Sequence, residues 1–124
     1  MSRIRGKHNR GTEGVLATLL RVHGVRGWRR HLSLPGRPDF ALPAARVAIF
    51  TDGCFWHGCR RCTRNLTPKS NEKFWAEKII ANRRRDRRAN AGLHRRGWRV
   101  IRIWEHDLKK KPKACIIRIQ EALK

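Results

Sequence analysis

Acidic residues are scarce in this chain and tyrosine is absent. No apolar run approaches the roughly 18 residues that a membrane-spanning helix needs. The last absence excludes an α-helical membrane protein, and with no secretory signal in view the reading is a soluble, cytoplasmic one. Acid scarcity says more: 9 Asp+Glu stand against 31 Lys+Arg, a formal net charge of +22. Such a field opposes compaction by self-repulsion unless a polyanion screens it. Nucleic acid is the expected partner, with binding that weakens steeply as salt rises. A ribosome-associated or generic basic protein would show the same balance, because charge gives affinity and not chemistry. Cysteine is limited to four residues, three of them clustered. That pattern argues for a metal site in a reducing compartment rather than a disulfide framework. Internal repeats are lacking, and 124 residues suffice for one domain with its own core.

The chain order follows from periodicity and punctuation. Residues 1–11 form a basic, Gly-containing arm, expected to be flexible. Thr12 is a natural N-cap, Glu13 suits the first turn, and Val15, Leu16, Leu19 and Leu20 recur at helical spacing up to Gly24. Val25 to Leu32 reads as a short, Arg-rich edge strand. Leu34-Pro35-Gly36-Arg37-Pro38 is turn chemistry, after which Asp39 to Leu42 and Val47 to Phe50 read as strands of a meander. Ser70 or Asn71 can cap a long helix reaching about Arg96, with a stripe of Trp75, Ile79, Asn82, Asp86, Ala89 and Leu93. Trp98 to Trp104 alternates as a strand, Glu105-His106-Asp107 ends it, and Pro112 opens a last helix. Helix, three strands, helix, strand, helix packs most economically as one mixed sheet flanked by helices.

Three sets of residues can carry chemistry. Cys54, Cys59 and Cys62 offer three thiolates on one loop, and His57 or His106 can complete a Cys3His zinc site. The carboxylates Glu13, Asp39, Asp52 and Asp86 stand at element ends or on an inner helix face. In an antiparallel pair the start of one strand and the end of the next share a sheet edge. Asp39, Thr51 and Asp52 can therefore meet near His57, where a hard cation such as Mg²⁺ would find oxygen ligands. Taken singly, Asp39 reads as a turn-stabilising residue and Asp86 as the partner of a nearby arginine. The rings Phe55, Trp56 and Trp75 are either local core or a wedge that enters a base stack.

Taken together, Leu34 to Phe40, Phe50-Thr51-Asp52-Gly53-Cys54-Phe55-Trp56-His57, Phe74-Trp75 to Asp86, and Gly97 to Glu105 resemble the very-short-patch-repair (Vsr) mismatch endonucleases. The resemblance runs from about Glu13 to His106. It implies a mixed α/β fold: a restriction-endonuclease-like αβββαβ core with a zinc-binding loop and a C-terminal helix. It also implies Mg²⁺-dependent nicking of duplex DNA beside a thymine mispaired with guanine. By position, Asp39 looks like the magnesium-binding carboxylate, Thr51 adds an oxygen, and His57 looks like the base. Glu13 and Asp86 look like supporting acidic residues of the site, and Asp52 is expected to join them as an added acid beside Thr51. Phe55, Trp56 and Trp75 look like the DNA wedge, and His106 looks like the fourth Zn²⁺ ligand beside Cys54, Cys59 and Cys62. Asp52 departs from the best-known members, which carry a second histidine there.

A monomer is expected, with double-stranded DNA as substrate and a DNA methyltransferase or repair proteins as further partners. Two rivals remain: a related nuclease of a restriction or defence system without mismatch specificity, and a zinc-stabilised DNA-binding module that does not cut.

Overall fold

The structure is a computed structural model that describes residues 13–53 and 72–124. Helix α1 covers described residues 13–22, followed by β1 (Arg29–Arg30), β2 (Phe40–Leu42) and β3 (Val47–Asp52). Then come α2 (Glu72–Arg95), β4 (Arg99–Trp104), α3 (Glu105–Lys110) and α4 (Pro112–Leu123). The four strands form one sheet in the order β1-β2-β3-β4. The first two pairings are antiparallel, with Phe40 opposite Ile49, and the third is parallel, running from Val47 opposite Arg99 to Asp52 opposite Trp104. This is the mixed sheet that the element order predicted. The arm at 1–11, the Thr12 cap and the caps Ser70 and Asn71 lie outside the described residues. Among the described residues, no helix is long and apolar enough to cross a membrane.

Alternation along the strands sorts side chains onto two faces. Phe40, Leu42, Val47, Ile49, Ile101 and Ile103 point to one face and form the larger core with Leu16 and Leu20 of α1, Leu108 of α3, and Ile116 and Ile119 of α4. Ala48 and Phe50 point to the other face and pack with Leu93 of α2, beside Leu34, Trp98 and Val100. The expected α2 stripe is realised only in its second half: Ala89 and Leu93 are buried, whereas Ile79, Asn82 and Asp86 are half-buried. Arginines fill positions 83 to 85, and Ile80 on the same stretch is left 50% exposed.

Two local departures from expectation have physical causes. The edge strand shrinks to Arg29–Arg30 because Gly27 (φ 80) and His31 (φ 53) adopt left-handed backbone and break the extended run on either side. Glu105-His106-Asp107 follows the end of β4 as expected but there opens α3, a helix absent from the expected order, with Glu105 and Asp107 placed where carboxylates suit the helix N-terminus.

The turn before β2 is set against α2. Gly36 has φ 76, and a Cβ there would fall 2.6 Å from the Ala89 Cβ and 3.3 Å from the Phe50 ring. Pro35 packs over Gly92, and Pro38 is fully buried. The turn is thereby clamped, and Asp39 emerges from it in a fixed place. Gly36→Ala should cost about 2–3 kcal/mol, from left-handed strain plus overpacking. Thermal unfolding of the variant measures this, and an unchanged melting temperature would show that the turn is not packed as described.

Candidate active site

Asp39 immediately precedes β2 and Thr51 lies near the end of β3, so the antiparallel register brings them to one sheet edge. The Thr51 backbone N–H donates to Asp39 Oδ2 at 2.7 Å, and the Thr51 hydroxyl donates to the same oxygen at 3.0 Å. These two bonds fix the carboxylate's orientation. Glu13, at the start of the described part of α1, projects toward it with a side chain only 7% exposed. Arg30 Nη2 stands 3.1 Å from Glu13 Oε1, and His31 Nε2 stands 3.3 Å from the same oxygen. Arg30 reaches there because it lies opposite Phe40, over whose ring its guanidinium sits at 4.9 Å. The Glu13 Oε1 atom is nevertheless buried without a partner in hydrogen-bond geometry.

One ligand atom each from Glu13, His31 and Asp39 lie within 4.8 Å of one another. Two carboxylates this close, in partial burial, resist ionising together. The Asp39 carboxyl is pushed from 3.8 up to about 7, first by burial and then by the Glu13 charge, against the opposing pull of the Thr51 hydrogen bonds. The residues present fit a divalent cation on this ground: a shared positive charge would relieve the repulsion and give Glu13 Oε1, which makes ion pairs but no hydrogen bond, a ligand contact. Asp39 and Glu13 would hold it.

The other predicted acids stand elsewhere. Asp52 is 4% exposed and points to the opposite sheet face from the core that adjoins Asp39. Arg102 of β4 donates from Nη1 to both Asp52 oxygens, at 3.0 and 3.2 Å, and lies 3.5 Å from Asp86 Oδ1. Its Nε donates to Asn90 at 2.9 Å, and its guanidinium lies 4.0 Å from the Phe50 ring centre. Arg102 thus ties β3, β4 and α2 together. The structure brings Glu13, Asp39 and Thr51 into one group and gathers Asp52 and Asp86 into another.

His106 sits in the first turn of α3, with Nε2 3.1 Å from Asp107 Oδ1. Because β3 and β4 run parallel with Asp52 opposite Trp104, the residues just beyond each strand leave from the same edge. Cys54 and His106 follow those two strand ends at equal distance along the chain. Cys54, Phe55, Trp56, His57, Cys59 and Cys62 lie outside the described residues, as does the side chain of Trp75.

Sequence reasoning missed His31, Arg30 and Arg102. His31 lies among arginines in a broken strand, where no periodicity singles it out. Arg102 shows only as the polar member of an alternating strand, and on an inward position that polarity is itself a signal of a buried partner.

Comparison with known proteins bears on the chain as a whole. The family model described as DNA mismatch endonuclease Vsr matches residues 1–64. The chain is 41% identical over 111 residues to the DNA mismatch endonuclease Vsr of Escherichia coli K12, covering 90% of this chain and 70% of that protein. It is 41% identical over 108 residues to the type II nicking enzyme V.XorIIP of Xanthomonas oryzae pv. oryzae, covering 87% and 78%. A third relative, the type II nicking enzyme V.HpaIIP of Haemophilus parainfluenzae, is 38% identical over 117 residues, covering 93% and 83%. With a sheet and helices in the predicted order and a clustered acidic edge, this chain is a DNA endonuclease and belongs to the Vsr mismatch endonuclease family.

Proposed function

We propose that this endonuclease nicks one strand of duplex DNA beside a thymine–guanine mispair, with Mg²⁺ as its catalytic cofactor, in the cytoplasm. The observation that carries the reading is the convergence of Asp39, Thr51 and Glu13 at one sheet edge, with Asp39 oriented by two hydrogen bonds. Asp39 and Glu13 would hold a divalent cation there, which would supply positive charge at the scissile phosphate. Thr51 keeps Asp39 turned toward that position, and Glu13 adds the second carboxylate. His57 accepts the proton of the attacking water, a role that a neutral imidazole suits near pH 7. Phe55, Trp56 and Trp75 enter the stack next to the mispair, where pairing is weakest.

Cys54, Cys59 and Cys62 would hold a structural Zn²⁺ with His106, a reading supported by the shared exit edge of β3 and β4. Asp52 and Asp86 act through Arg102, holding the β3 end and α2 in place rather than touching the reacting atoms. The net charge of +22 supplies the sequence-independent grip on phosphate.

The names of the nicking-enzyme relatives favour single-strand cleavage. They also keep open a second reading, a nicking enzyme of a restriction system with its own sequence context. Labelled duplexes, one fully paired and one with a central thymine–guanine mispair, separate the two when incubated with Mg²⁺ or without it. Mg²⁺-dependent nicking of the mispaired strand alone is expected. Equal cutting of both duplexes would discard mismatch specificity and retain the nuclease.

A further inference from the structure

The Glu13–Asp39 pair has a third neighbour that no part of the proposed mechanism uses. His31 follows β1 directly and holds a left-handed backbone, φ 53, a region that few non-glycine residues enter and that histidine, asparagine and aspartate enter more readily than the rest. Such conformations cost free energy and persist where the surroundings hold them. Here the backbone turn delivers Nε2 to 3.3 Å from Glu13 Oε1, the buried oxygen that lacks a hydrogen-bond partner. It also places a ring nitrogen of His31 with carboxylate oxygens of both Glu13 and Asp39 inside a 4.8 Å group. His31 is itself solvent-accessible, its side chain 53% exposed, so the imidazole closes the outer side of a site whose inner side is the two carboxylates.

We propose that His31 Nε2 is a third protein ligand of the cation held by Glu13 and Asp39. A nitrogen ligand then makes the site favour first-row transition ions such as Mn²⁺ over Mg²⁺. Mg²⁺ binds oxygen almost exclusively and keeps several waters, so an imidazole contributes little to its affinity. Mn²⁺ and the ions after it in the first row accept carboxylate and imidazole together. Arg30, at 3.1 Å from the same Glu13 oxygen, remains a positive neighbour and orients that carboxylate. This assignment rests on the proposed cation site but not on which DNA is cut.

The test uses the full chain, replete in zinc and free of DNA, with Mn²⁺ as probe. Electron spin-echo spectroscopy of Mn²⁺-loaded protein should show nitrogen modulation from a coordinated imidazole. The modulation should vanish in His31→Asn, which tolerates the left-handed backbone but presents no ring nitrogen. His31→Ala serves as a second variant. By competition titration, both should bind Mn²⁺ about tenfold or more weakly, with Mg²⁺ affinity changed by less than about threefold. Modulation that is absent from the wild type, or that survives in His31→Asn, would overturn the assignment. Equal weakening of the two ions would overturn it too. Nicking of the mispaired duplex by the wild-type protein reports on the function separately. If that nicking fails while the nitrogen signal behaves as expected, the ligand assignment stands and the substrate reading falls.

Discussion

Asp39→Asn is expected to lower nicking by about 10³-fold or more while leaving DNA affinity intact or slightly higher. The amide retains an oxygen that can accept from the Thr51 N–H and hydroxyl, so the local geometry survives. Lost is the negative charge that holds a cation against the scissile phosphate, and transition-state stabilisation of this kind is among the largest contributions to such rates. Removing a negative charge from a protein of net +22 should not weaken its hold on phosphate. Binding measured without Mg²⁺, beside nicking measured with it, separates the two effects. A folded variant that no longer binds would place Asp39 in the DNA grip instead.

The same substitution has a stability consequence of opposite sign. An Asp39 carboxyl raised from 3.8 to about 7 binds its proton more tightly in the folded state than in the unfolded chain. Between those values the folded state holds more protons, so this contribution to stability falls as pH rises and is lost through about pH 7. Asparagine removes both the burial of charge and the repulsion from Glu13. In Mg²⁺-free buffer at pH 8 the variant should therefore be more stable than wild type, on the order of 2 kcal/mol after allowance for solvent relaxation. At pH 4 the two should unfold alike. Melting curves at both pH values check this, and a variant less stable than wild type at pH 8 would show that the carboxylate is not strained.

Arg102→Met is expected to lower stability by about 3 kcal/mol, because it removes the guanidinium that buried Asp52 and half-buried Asp86 share. For a domain of this size that corresponds to a melting temperature lower by about 10 °C. The loss should exceed that of Asp52→Asn, since an amide in that place can still accept from Arg102. Adding Asp52→Asn to Arg102→Met should then recover about 1 kcal/mol, because part of the residual cost is that of a buried carboxylate that has lost its bond to Arg102. Strict additivity of the two changes would show that Arg102 and Asp52 are not coupled. Nicking should fall along with stability, since Thr51 sits beside Asp52 on the strand that Arg102 braces.

Much of this protein is decided within short windows of sequence. Gly97 ends α2 as expected, with φ 81 and the Trp98 N–H bonded to the Leu93 carbonyl at 3.0 Å, because a helix stop is a property of a few adjacent residues. The alternating strand 98–104 and the turn at Leu34–Pro38 are local in the same sense. Asp39 and Thr51 could be paired in advance because an antiparallel hairpin fixes which residues share an edge. The parity of the strand gave Asp52 the other face, but the sequence alone did not say which face carried the site. Only the tertiary structure decided that Asp52 and Asp86 turn toward Arg102, across a parallel crossover that no local pattern encodes. Only the tertiary structure, too, brought His31 to Glu13, because a left-handed backbone at the end of a two-residue strand aims a side chain that no periodicity predicts. Sequence determines elements through interactions between near neighbours, whereas distant charges meet only when packing has set the distances between those elements.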